Sequence, residues 1–342
     1  MKGVVFTGDR RLEIVDLPKP RPGTGEVLIE MKASGVCGSD LRRYRRTAAE
    51  IPKKEENLVR GHEPCGVVAE VGPGARHVRV GDRVMIYHYK GCGHCKHCRA
   101  GWEHLCLESF DTYGMSGLPG GHQDYLVCHD AACVPMPDKL SFEGGACCAC
   151  GTGTAYQALK RLAVSGLDTV AVFGQGPVGA SATMLANAMG ARVIAVDTAV
   201  ERLELAKKAG AAEIIDAGRG DPVVAIREMT KGEGAEVTVD CTGIETARIN
   251  CLLAAKVWGR VAFVGEHGKA TFDMTPQIIH KQLTIHGSWT LSAGLLAEVG
   301  QFVVDHSVPL ENLISHRFPL GRGEEAYRLF DAGKTWKVMF TW

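Results

Sequence analysis

Residues 169–179 read TVAVFGQGPVG, an apolar run followed by three glycines at the spacing GxGxxG. The run predicts a strand, Thr169–Phe173, and the alanine-rich stretch behind it predicts a helix, Gly176–Met189. Strands that alternate with helices are typical of parallel βαβ units, so residues 152–286 are predicted to form a doubly wound α/β domain. The other elements predicted in this part are a helix at 200–209 and strands at 192–196, 213–215, 237–239 and 261–264.

The glycine turn predicts a dinucleotide site of the Rossmann type. A first glycine allows the tight turn, a second lets a pyrophosphate approach the backbone, and a third permits close packing of the helix on the strand. Asp197 ends the second strand eighteen residues beyond Gly179, where a carboxylate can accept both ribose hydroxyls of NAD and would repel the 2′-phosphate of NADP. We therefore predict NAD as the cofactor, held at Gly174, Gly176, Pro177, Val178, Gly179 and Asp197.

Two alternatives stay open at this turn. The glycines could bind no ligand, in which case Asp197 is a solvated strand end. Arg202 either lies along the adenosine or is a solvated charge on its helix.

Four cysteines in the segment 91–107 follow one another at gaps of two, two and seven residues: Cys92, Cys95, Cys98 and Cys106. Four thiolates this close can surround one tetrahedral zinc with no open position, which is the arrangement of a structural site. The histidines of the same segment are rival ligands: His94, His97 and His104. Because four cysteines already complete the shell, we predict a structural zinc lobe with sulfur ligands.

The composition excludes some classes of partner. The chain has 342 residues, enough for two domains, and its 39 Lys and Arg residues balance 39 Asp and Glu residues. A balanced charge gives no basic field for nucleic acid or anionic lipid, so a small-molecule ligand is predicted. No segment has the pattern of a signal peptide or a membrane helix, which favours the cytoplasm. In that compartment the thirteen cysteines are expected to be metal ligands or core residues and not disulfides.

The residues before the glycine turn show a different pattern. Short strands separated by glycine and proline turns are predicted at 27–31, 67–71 and 84–87. Residues 1–151 are therefore predicted to form a β-rich, barrel-like domain. The segment 287–342 carries a predicted helix at 292–304 and a predicted strand at 337–340, and it is expected to return to the first domain because it is too short to fold alone.

Two loops of the β-rich domain suggest a second metal site. Cys37 lies in VCGSD, residues 36–40, and His62 lies in GHEP, residues 61–64. A thiolate and an imidazole are two of the three protein ligands of an open, catalytic zinc. Either residue alone is more often buried without a metal, so the spacing by itself leaves the site open.

Taken in order, VCGSD, GHE, the four cysteines and the glycine turn resemble the zinc-containing medium-chain alcohol dehydrogenases, a family that includes sorbitol and threonine dehydrogenases. The resemblance implies a GroES-like catalytic domain beside the Rossmann domain and two zinc ions per chain. It puts the ligands of the catalytic zinc on Cys37, His62 and Cys150, while Cys147 and Cys148 remain alternatives for the third ligand.

The same resemblance implies roles for the neighbouring side chains. Ser39 is expected to accept the proton of the alcohol, although it could simply cap a helix. Asp40 is expected to accept the far N–H of His62, and Glu63 to lie behind the zinc, although either could be a plain ion-pairing residue. Arg42 stands where many relatives have a histidine that passes the proton on, and arginine does not lose its proton in proteins.

Other residues have open interpretations. The arginines at 42, 43, 45 and 46 form either a solvated face or a surface for an anionic substrate. Tyr113 and Trp289 either line the substrate pocket or belong to the core. By resemblance, Thr154 and Val178 press the nicotinamide toward the catalytic zinc.

Together these observations predict an enzyme that transfers a hydride from a secondary alcohol to NAD and so makes a ketone. By resemblance the substrate is a polyol, a sugar-like alcohol or an amino alcohol, and the assembly is a homotetramer or, as second choice, a dimer. Two alternatives remain: an aldehyde or ketone reductase with the same site, and a zinc- and NAD-binding redox sensor without turnover.

Overall fold

The computed structural model describes residues 1–333 and 335–342. Its backbone contacts divide the chain into two compact units. We call Met1–Gly153 together with Leu291–Trp342 the outer unit, and Thr154–Thr290 the inserted unit. The predicted boundaries after residues 151 and 286 lie two and four residues from this division.

The strands are, in chain order, β1 Lys2–Gly8, β2 Arg11–Asp16, β3 Glu26–Val36, β4 Glu63–Val71, β5 Arg83–Ile86, β6 Tyr89–Lys90, β7 Asp111–Tyr113, β8 Gly117–Leu118, β9 Tyr125–His129, β10 Cys133–Pro135, β11 Thr169–Phe173, β12 Arg192–Asp197, β13 Glu213–Asp216, β14 Ala235–Asp240, β15 Ala255–Phe263, β16 Thr284–Gly287, β17 Ile314–Phe318 and β18 Lys337–Thr341. The α-helices are α1 Gly38–Tyr44, α2 Lys96–Arg99, α3 Phe142–Cys147, α4 Gly153–Arg161, α5 Pro177–Ala188, α6 Val200–Lys208, α7 Pro222–Met229, α8 Glu245–Ala254, α9 Ala293–Asp305 and α10 Gly323–Asp331. Two π-helical turns occupy Cys148–Thr152 and Thr275–Ile279.

The main sheet of the outer unit has the strand order β10-β5-β4-β3-β18-β17, and β9 also pairs with β3. The antiparallel pair β3 and β4 places Gly35 opposite Glu63. Strand β18 is antiparallel to β3 and places Val338 opposite Val36. The segment after the inserted unit therefore adds β17 and β18 to the sheet that contains β3 and β4. It brings Lys337 beside the C-terminal end of β3 and the start of β4.

The inserted unit contains a parallel sheet with the strand order β13-β12-β11-β14-β15-β16. Its central strands are continuously apolar because parallel sheets of this kind are covered on both faces, and Val170, Ala171 and Val172 are fully buried. The chain order reverses between β11 and β14, which is where doubly wound sheets bind their ligands. The predicted doubly wound α/β sheet is therefore present.

The predicted strand Thr169–Phe173 has the same bounds in the structure, whereas the prediction of a strand at 261–264 was too short, because β15 begins at Ala255. The first half of β15 carries the exposed side chains of Val257 and Trp258, so the apolar pattern does not reveal it. Trp258 also has a positive φ of 63°, which interrupts the regular strand. Across the described ranges 1–333 and 335–342, no helix has both the length and the apolar surface that crossing a membrane requires.

Candidate active site

The four cysteines of the segment 91–107 face one another. One sulfur atom from each of Cys92, Cys95, Cys98 and Cys106 lies within 4.8 Å of the others. The Sγ atoms of Cys92 and Cys98 are 3.9 Å apart, and those of Cys95 and Cys98 are 3.5 Å apart. Zn–S bonds near 2.3 Å give a tetrahedron with edges of about 3.8 Å. The donors and their spacing therefore fit a closed zinc site.

Two of the rival histidines have other partners. His94 Nε2 lies 2.7 Å from Glu108 Oε1 in an exposed pair, and His104 Nδ1 lies 3.0 Å from the hydroxyl of Tyr87. His94 and Glu108 do reach within 4.8 Å of a Cys92 ligand atom. Because the side chains of His94 and Glu108 are exposed, water can satisfy their polar atoms without a metal ion. This favours the four sulfur atoms as the ligand set.

A second group of ligand atoms converges at the ends of β3 and β4. Cys37 follows β3, His62 precedes β4 and Glu63 begins it. One ligand atom from each of Cys37, His62, Glu63 and Cys150 lies within 4.8 Å of the others. Two sulfurs and an imidazole nitrogen are donors suited to an open zinc site, so these residues fit a catalytic zinc.

Asp40 orients the imidazole of His62. Its Oδ1 lies 2.9 Å from His62 Nδ1, and its Oδ2 accepts a hydrogen bond from the backbone N–H of Cys37 at 2.9 Å. A bond donated from Nδ1 leaves Nε2 to face the other ligand atoms. This is the contact predicted for Asp40, and because both side chains are buried, little water competes for it.

The groups around this centre favour positive charge. Burial alone would lower the pKa of His62, but the Asp40 carboxylate and the Cys37 sulfur outweigh it and raise that pKa well above its usual value. The hydrogen bond between the two thiols lowers the pKa of Cys37 and raises the pKa of Cys150. Such a site draws a proton onto the imidazole and off one sulfur, and a bound cation would satisfy the same charge pattern.

The three neighbouring cysteines have different surroundings. Cys150 lies in the π-helical turn Cys148–Thr152, which carries its sulfur into the group with Cys37. Cys147 and Cys148 are fully buried, and burial raises the pKa of Cys147 to about 12. The π-helical turn inserts a residue into the helical path and so changes which side chain faces the site. Sequence spacing alone leaves that choice open.

Ser39 and Arg42 both lie on α1. Ser39 Oγ is 3.3 Å from His62 Nε2, which puts a hydroxyl beside the ligand nitrogen. The residue that caps α1 is Cys37 and not Ser39, so the capping alternative for the serine is not supported. Arg42 is exposed.

Sequence reasoning missed the partner of Glu63. Lys337 Nζ lies 2.6 Å from Glu63 Oε2 and 2.8 Å from Oε1, and it reaches the carbonyl of Val36 at 3.4 Å. Burial would lower the pKa of Lys337, but the Glu63 carboxylate outweighs it and raises that pKa. Burial raises the pKa of Glu63 and the Lys337 ammonium opposes that rise, and the contacts of the ammonium to both carboxylate oxygens form an ion pair. The only signal in the sequence was a lysine in an apolar strand.

His88 was also missed. Its ring lies 5.2 Å from that of His62, edge to face, and its Nδ1 lies 3.0 Å from the carbonyl of Ala149, next to Cys150. Burial lowers the pKa of His88 well below its usual value, so the ring is neutral. A single histidine in a strand-like stretch of sequence does not indicate that its ring lies beside the candidate metal ligands.

The glycine turn of the inserted unit has the geometry that its sequence predicts. Gly174 has a φ of +87°, which favours glycine, and a Cβ on Gly179 would lie 1.7 Å from the Gly174 carbonyl oxygen. A Cβ on Gly176 would meet no atom within 4 Å, so that position faces open space. Asp197 Oδ2 accepts from the backbone N–H of Gln175 at 2.5 Å. The Asp197 carboxylate therefore holds the turn in place.

The remaining candidates divide by their surroundings. Tyr113 is a core residue, because it is buried and its hydroxyl accepts from the backbone N–H of His129 at 3.0 Å. Trp289 is exposed, and the partly exposed candidates of the inserted unit are Thr154, Val178 and Arg202. In the arginine run, Arg43 and Arg46 lie 3.8 and 3.1 Å from Glu55, which supports a structural role for these two.

Comparison with protein families matches two parts of the chain. Residues 23–138 match the family described as alcohol dehydrogenase GroES-like domain, and residues 177–305 match the family described as zinc-binding dehydrogenase. A zinc-type alcohol dehydrogenase-like protein of Escherichia coli K12, YphC, is 40% identical over 99% of this chain and 98% of its own length. The chain belongs to the zinc-containing medium-chain alcohol dehydrogenase family. The chain is also 30% identical to the sorbitol dehydrogenase of Bombyx mori, over 98% of this chain and 97% of that protein.

Solved structures of the family have the same fold. Alcohol dehydrogenase TADH from Thermus sp. ATN1 covers 100% of this chain and 99% of its own with a TM-score of 0.91 and 30% identity. A structure described as an NAD-dependent alcohol dehydrogenase covers 100% of both chains with a TM-score of 0.87 and 31% identity. The predicted family, the α/β fold with a GroES-like part and the activity class of a zinc-dependent alcohol oxidoreductase are therefore confirmed.

Proposed function

We propose that this protein oxidises a secondary alcohol to a ketone with NAD as hydride acceptor. The observation that carries the proposal is the convergence of ligand atoms from Cys37, His62 and Cys150 within 4.8 Å, with Asp40 holding the imidazole. In this proposal residues 1–151 with 287–342 form the catalytic domain, and residues 152–286 bind NAD.

The residues that would hold the catalytic zinc are Cys37, His62 and Cys150, and the four lobe cysteines would hold a second, structural ion. The catalytic ion would supply Lewis acidity toward the substrate oxygen. Ser39 Oγ lies beside the ligand nitrogen of His62 and would accept the hydroxyl proton of the substrate. Arg42 does not relay it further, so the proton leaves through water or the cofactor ribose.

The proposed cofactor contacts lie at the first turn of the inserted unit. The glycine turn leaves open space at Gly176, and the N-terminus of α5 favours the negative charge of a pyrophosphate. Asp197 would accept the ribose hydroxyls and exclude a 2′-phosphate. Thr154 and Val178 are proposed to contact the nicotinamide.

The proposed substrate is a polyol, a sugar-like alcohol or an amino alcohol. The support is the similarity to sorbitol dehydrogenase described above and the similarity to L-threonine 3-dehydrogenase of Pyrococcus horikoshii, which is 32% identical over 96% of this chain and 94% of its own length. The names of the two relatives refer to different substrates, a polyol in one case and an amino alcohol in the other, and both of these substrates are secondary alcohols. The choice among these classes rests on assay.

We propose a homo-oligomer in the cytoplasm, a tetramer before a dimer. Strand β16 is the last strand of the parallel sheet, and exposed apolar side chains lie on β15, on β16 and in the π-helical turn Thr275–Ile279: Val257, Trp258, Ile279 and Ile285. An open edge with such a patch is suited to pairing with a second copy. In this proposal six of the thirteen cysteines are zinc ligands and the other seven stay thiols, which is the cysteine usage of a reducing compartment.

The test combines turnover with metal content. Sorbitol, xylitol, threonine and simple secondary alcohols are offered with NAD, their ketones with NADH, and zinc is counted by elemental analysis. Cys150→Ser is expected to lose one of two zinc ions and most of the turnover, while its buried neighbour variant Cys148→Ser keeps both. Loss of zinc and turnover in Cys148→Ser but not in Cys150→Ser would show that Cys148 is the third ligand. A protein that holds two zinc ions but turns over none of these substrates in either direction would contradict the proposed enzyme.

A further inference from the structure

We infer that Arg248 is a positioning residue that holds the wall of the crevice against which the nicotinamide half of the dinucleotide lies. This inference rests on the proposed NAD binding. No sequence motif pointed to Arg248, which lies in the first turn of α8, within the inserted unit.

A single guanidinium connects two loops. Arg248 donates from one terminal nitrogen to the carbonyls of Gly265 and His267, each at 2.7 Å, and from the other to the carbonyl of Gly268 at 3.3 Å. Its Nε lies 3.4 Å from Asp240 Oδ2. The side chain is only 14% exposed and that of Asp240 is fully buried. Hydrogen bonds from a charged donor are stronger than neutral ones, and removing Arg248 would leave the fully buried Asp240 carboxylate without its cation, which is costly.

The anchored loops follow the carboxyl ends of β14 and β15. Asp240 ends β14 and accepts from the backbone N–H groups of Thr242 at 2.8 Å and Gly243 at 3.2 Å. The two loops pack backbone to backbone, because a Cβ on Gly265 would lie 2.0 Å from the Gly243 nitrogen. No side chain fits between the loops there, and Arg248 ties the loop after β15 to the end of β14 through its bonds to the three carbonyls and to Asp240.

This wall lies directly beside the cofactor turn. A Cβ on Gly174 would lie 2.5 Å from the methyl group of Thr242. The sheet order puts β11 between β12 and β14. Asp197 at the end of β12 marks the adenosine ribose side, so the other mononucleotide half extends over β14 and β15, where Arg248 holds the loops.

The chemistry of arginine explains why this position carries it. Three carbonyls and one carboxylate surround the group in different directions, and a planar guanidinium with five N–H donors can reach them together. A lysine has the charge but not the fork, so it would restore only part of the contacts. Without the arginine, the buried Asp240 carboxylate and the partly buried carbonyl of Gly265 lose a charged donor, and the loop after β15 is no longer tied to the end of β14.

The experiment compares two ligands and two arginines. Dissociation constants for NADH and for AMP are measured by titration calorimetry on Arg248→Met, Arg248→Lys and the wild type. Arg260→Met is the matched control, because Arg260 binds the carbonyls of Leu162 and Ala163 and the carboxylate of Asp168 at the opposite, amino end of the same sheet.

We expect Arg248→Met to weaken NADH about tenfold or more and AMP less than about twofold, with Arg248→Lys between it and the wild type. Arg260→Met should leave both constants within about twofold. NADH affinity unchanged in Arg248→Met, equal losses for NADH and AMP, or an equal loss in Arg260→Met would each overturn the positioning role. Should Arg248→Met not fold, Asp240→Asn gives the same comparison. A wild type that binds neither ligand would refute the proposed function itself.

Discussion

Replacing Lys337 by methionine tests whether a buried charge pair holds the candidate centre together. Lys337 Nζ lies 2.6 and 2.8 Å from the two Glu63 oxygens, and the side chains are 2% and 0% exposed. Methionine keeps the length and the apolar stem but leaves the carboxylate without its cation. Breaking a buried pair in this way costs about 3–5 kcal/mol.

A second route to the magnitude gives the same range. Burial raises the pKa of Glu63, and the Lys337 ammonium opposes that rise, so the Glu63 carboxyl is expected to be protonated at neutral pH once the variant has lost this cation. Protonating a carboxyl of usual pKa about 4.3 at pH 7 costs about 4 kcal/mol, and at pH 5.5 about 2 kcal/mol. The destabilisation of Lys337→Met should therefore shrink as the pH falls.

The assay is urea denaturation at pH 7 and pH 5.5 with zinc held constant. The matched control is Lys2→Met, because Lys2 also lies 2.6 Å from a carboxylate, that of Asp16, but with side chains 54% and 79% exposed. The free energy of unfolding of Lys2→Met should change far less than that of Lys337→Met. The double variant Glu63→Gln with Lys337→Met should regain most of the loss. A loss below about 1 kcal/mol at pH 7, or one that does not change with pH, would refute the reasoning.

Three further outcomes are expected. Cys92→Ser should lower the melting temperature and remove about one zinc ion per chain, measured by calorimetry and elemental analysis; an unchanged melting temperature would contradict a structural role. Asp197→Ala should weaken NADH by about tenfold and NADPH much less in fluorescence titrations, and equal losses would mean that the carboxylate only holds the turn. Burial lowers the pKa of His122 to about 3, below its unfolded value of about 6.5, so its neutral form stabilises the fold above pH 6.5 and this stabilisation is lost as the pH falls toward 3. From pH 6.5 to 4.5 the wild type should lose about 2 kcal/mol more than His122→Leu in denaturation, and parallel losses would exclude that role.

Elements with a strong local pattern could be predicted from the sequence. The strand Thr169–Phe173 has four consecutive buried apolar residues after Thr169, and the turn after it needs glycine for its backbone angles, so both are encoded within a few residues. The four lobe cysteines are close in sequence, and a short chain segment brings them together without help from the rest of the fold.

Contacts between distant residues could not be predicted in this way. Lys337 contacts Glu63 only because β18 pairs with β3. A lysine in an apolar stretch of sequence does not reveal with which strand, or in which register, that stretch will pair. The selection of Cys150 depends on a π-helical turn, which no local preference signals. Arg248 could not be predicted for a related reason: three of its four partners are backbone carbonyls, which every residue has.

The placement of β18 against β3 has a consequence for how the protein is made. Val36 and Lys337, which touch across these strands, are separated by 301 positions. During synthesis the whole inserted unit emerges before β18, so residues 33–36 of β3 must wait for their partner strand, whereas residues 26–30 already pair with β9. This end of β3, which leads to Cys37, is thus open to wrong partners and to premature metal capture until β18 has been translated.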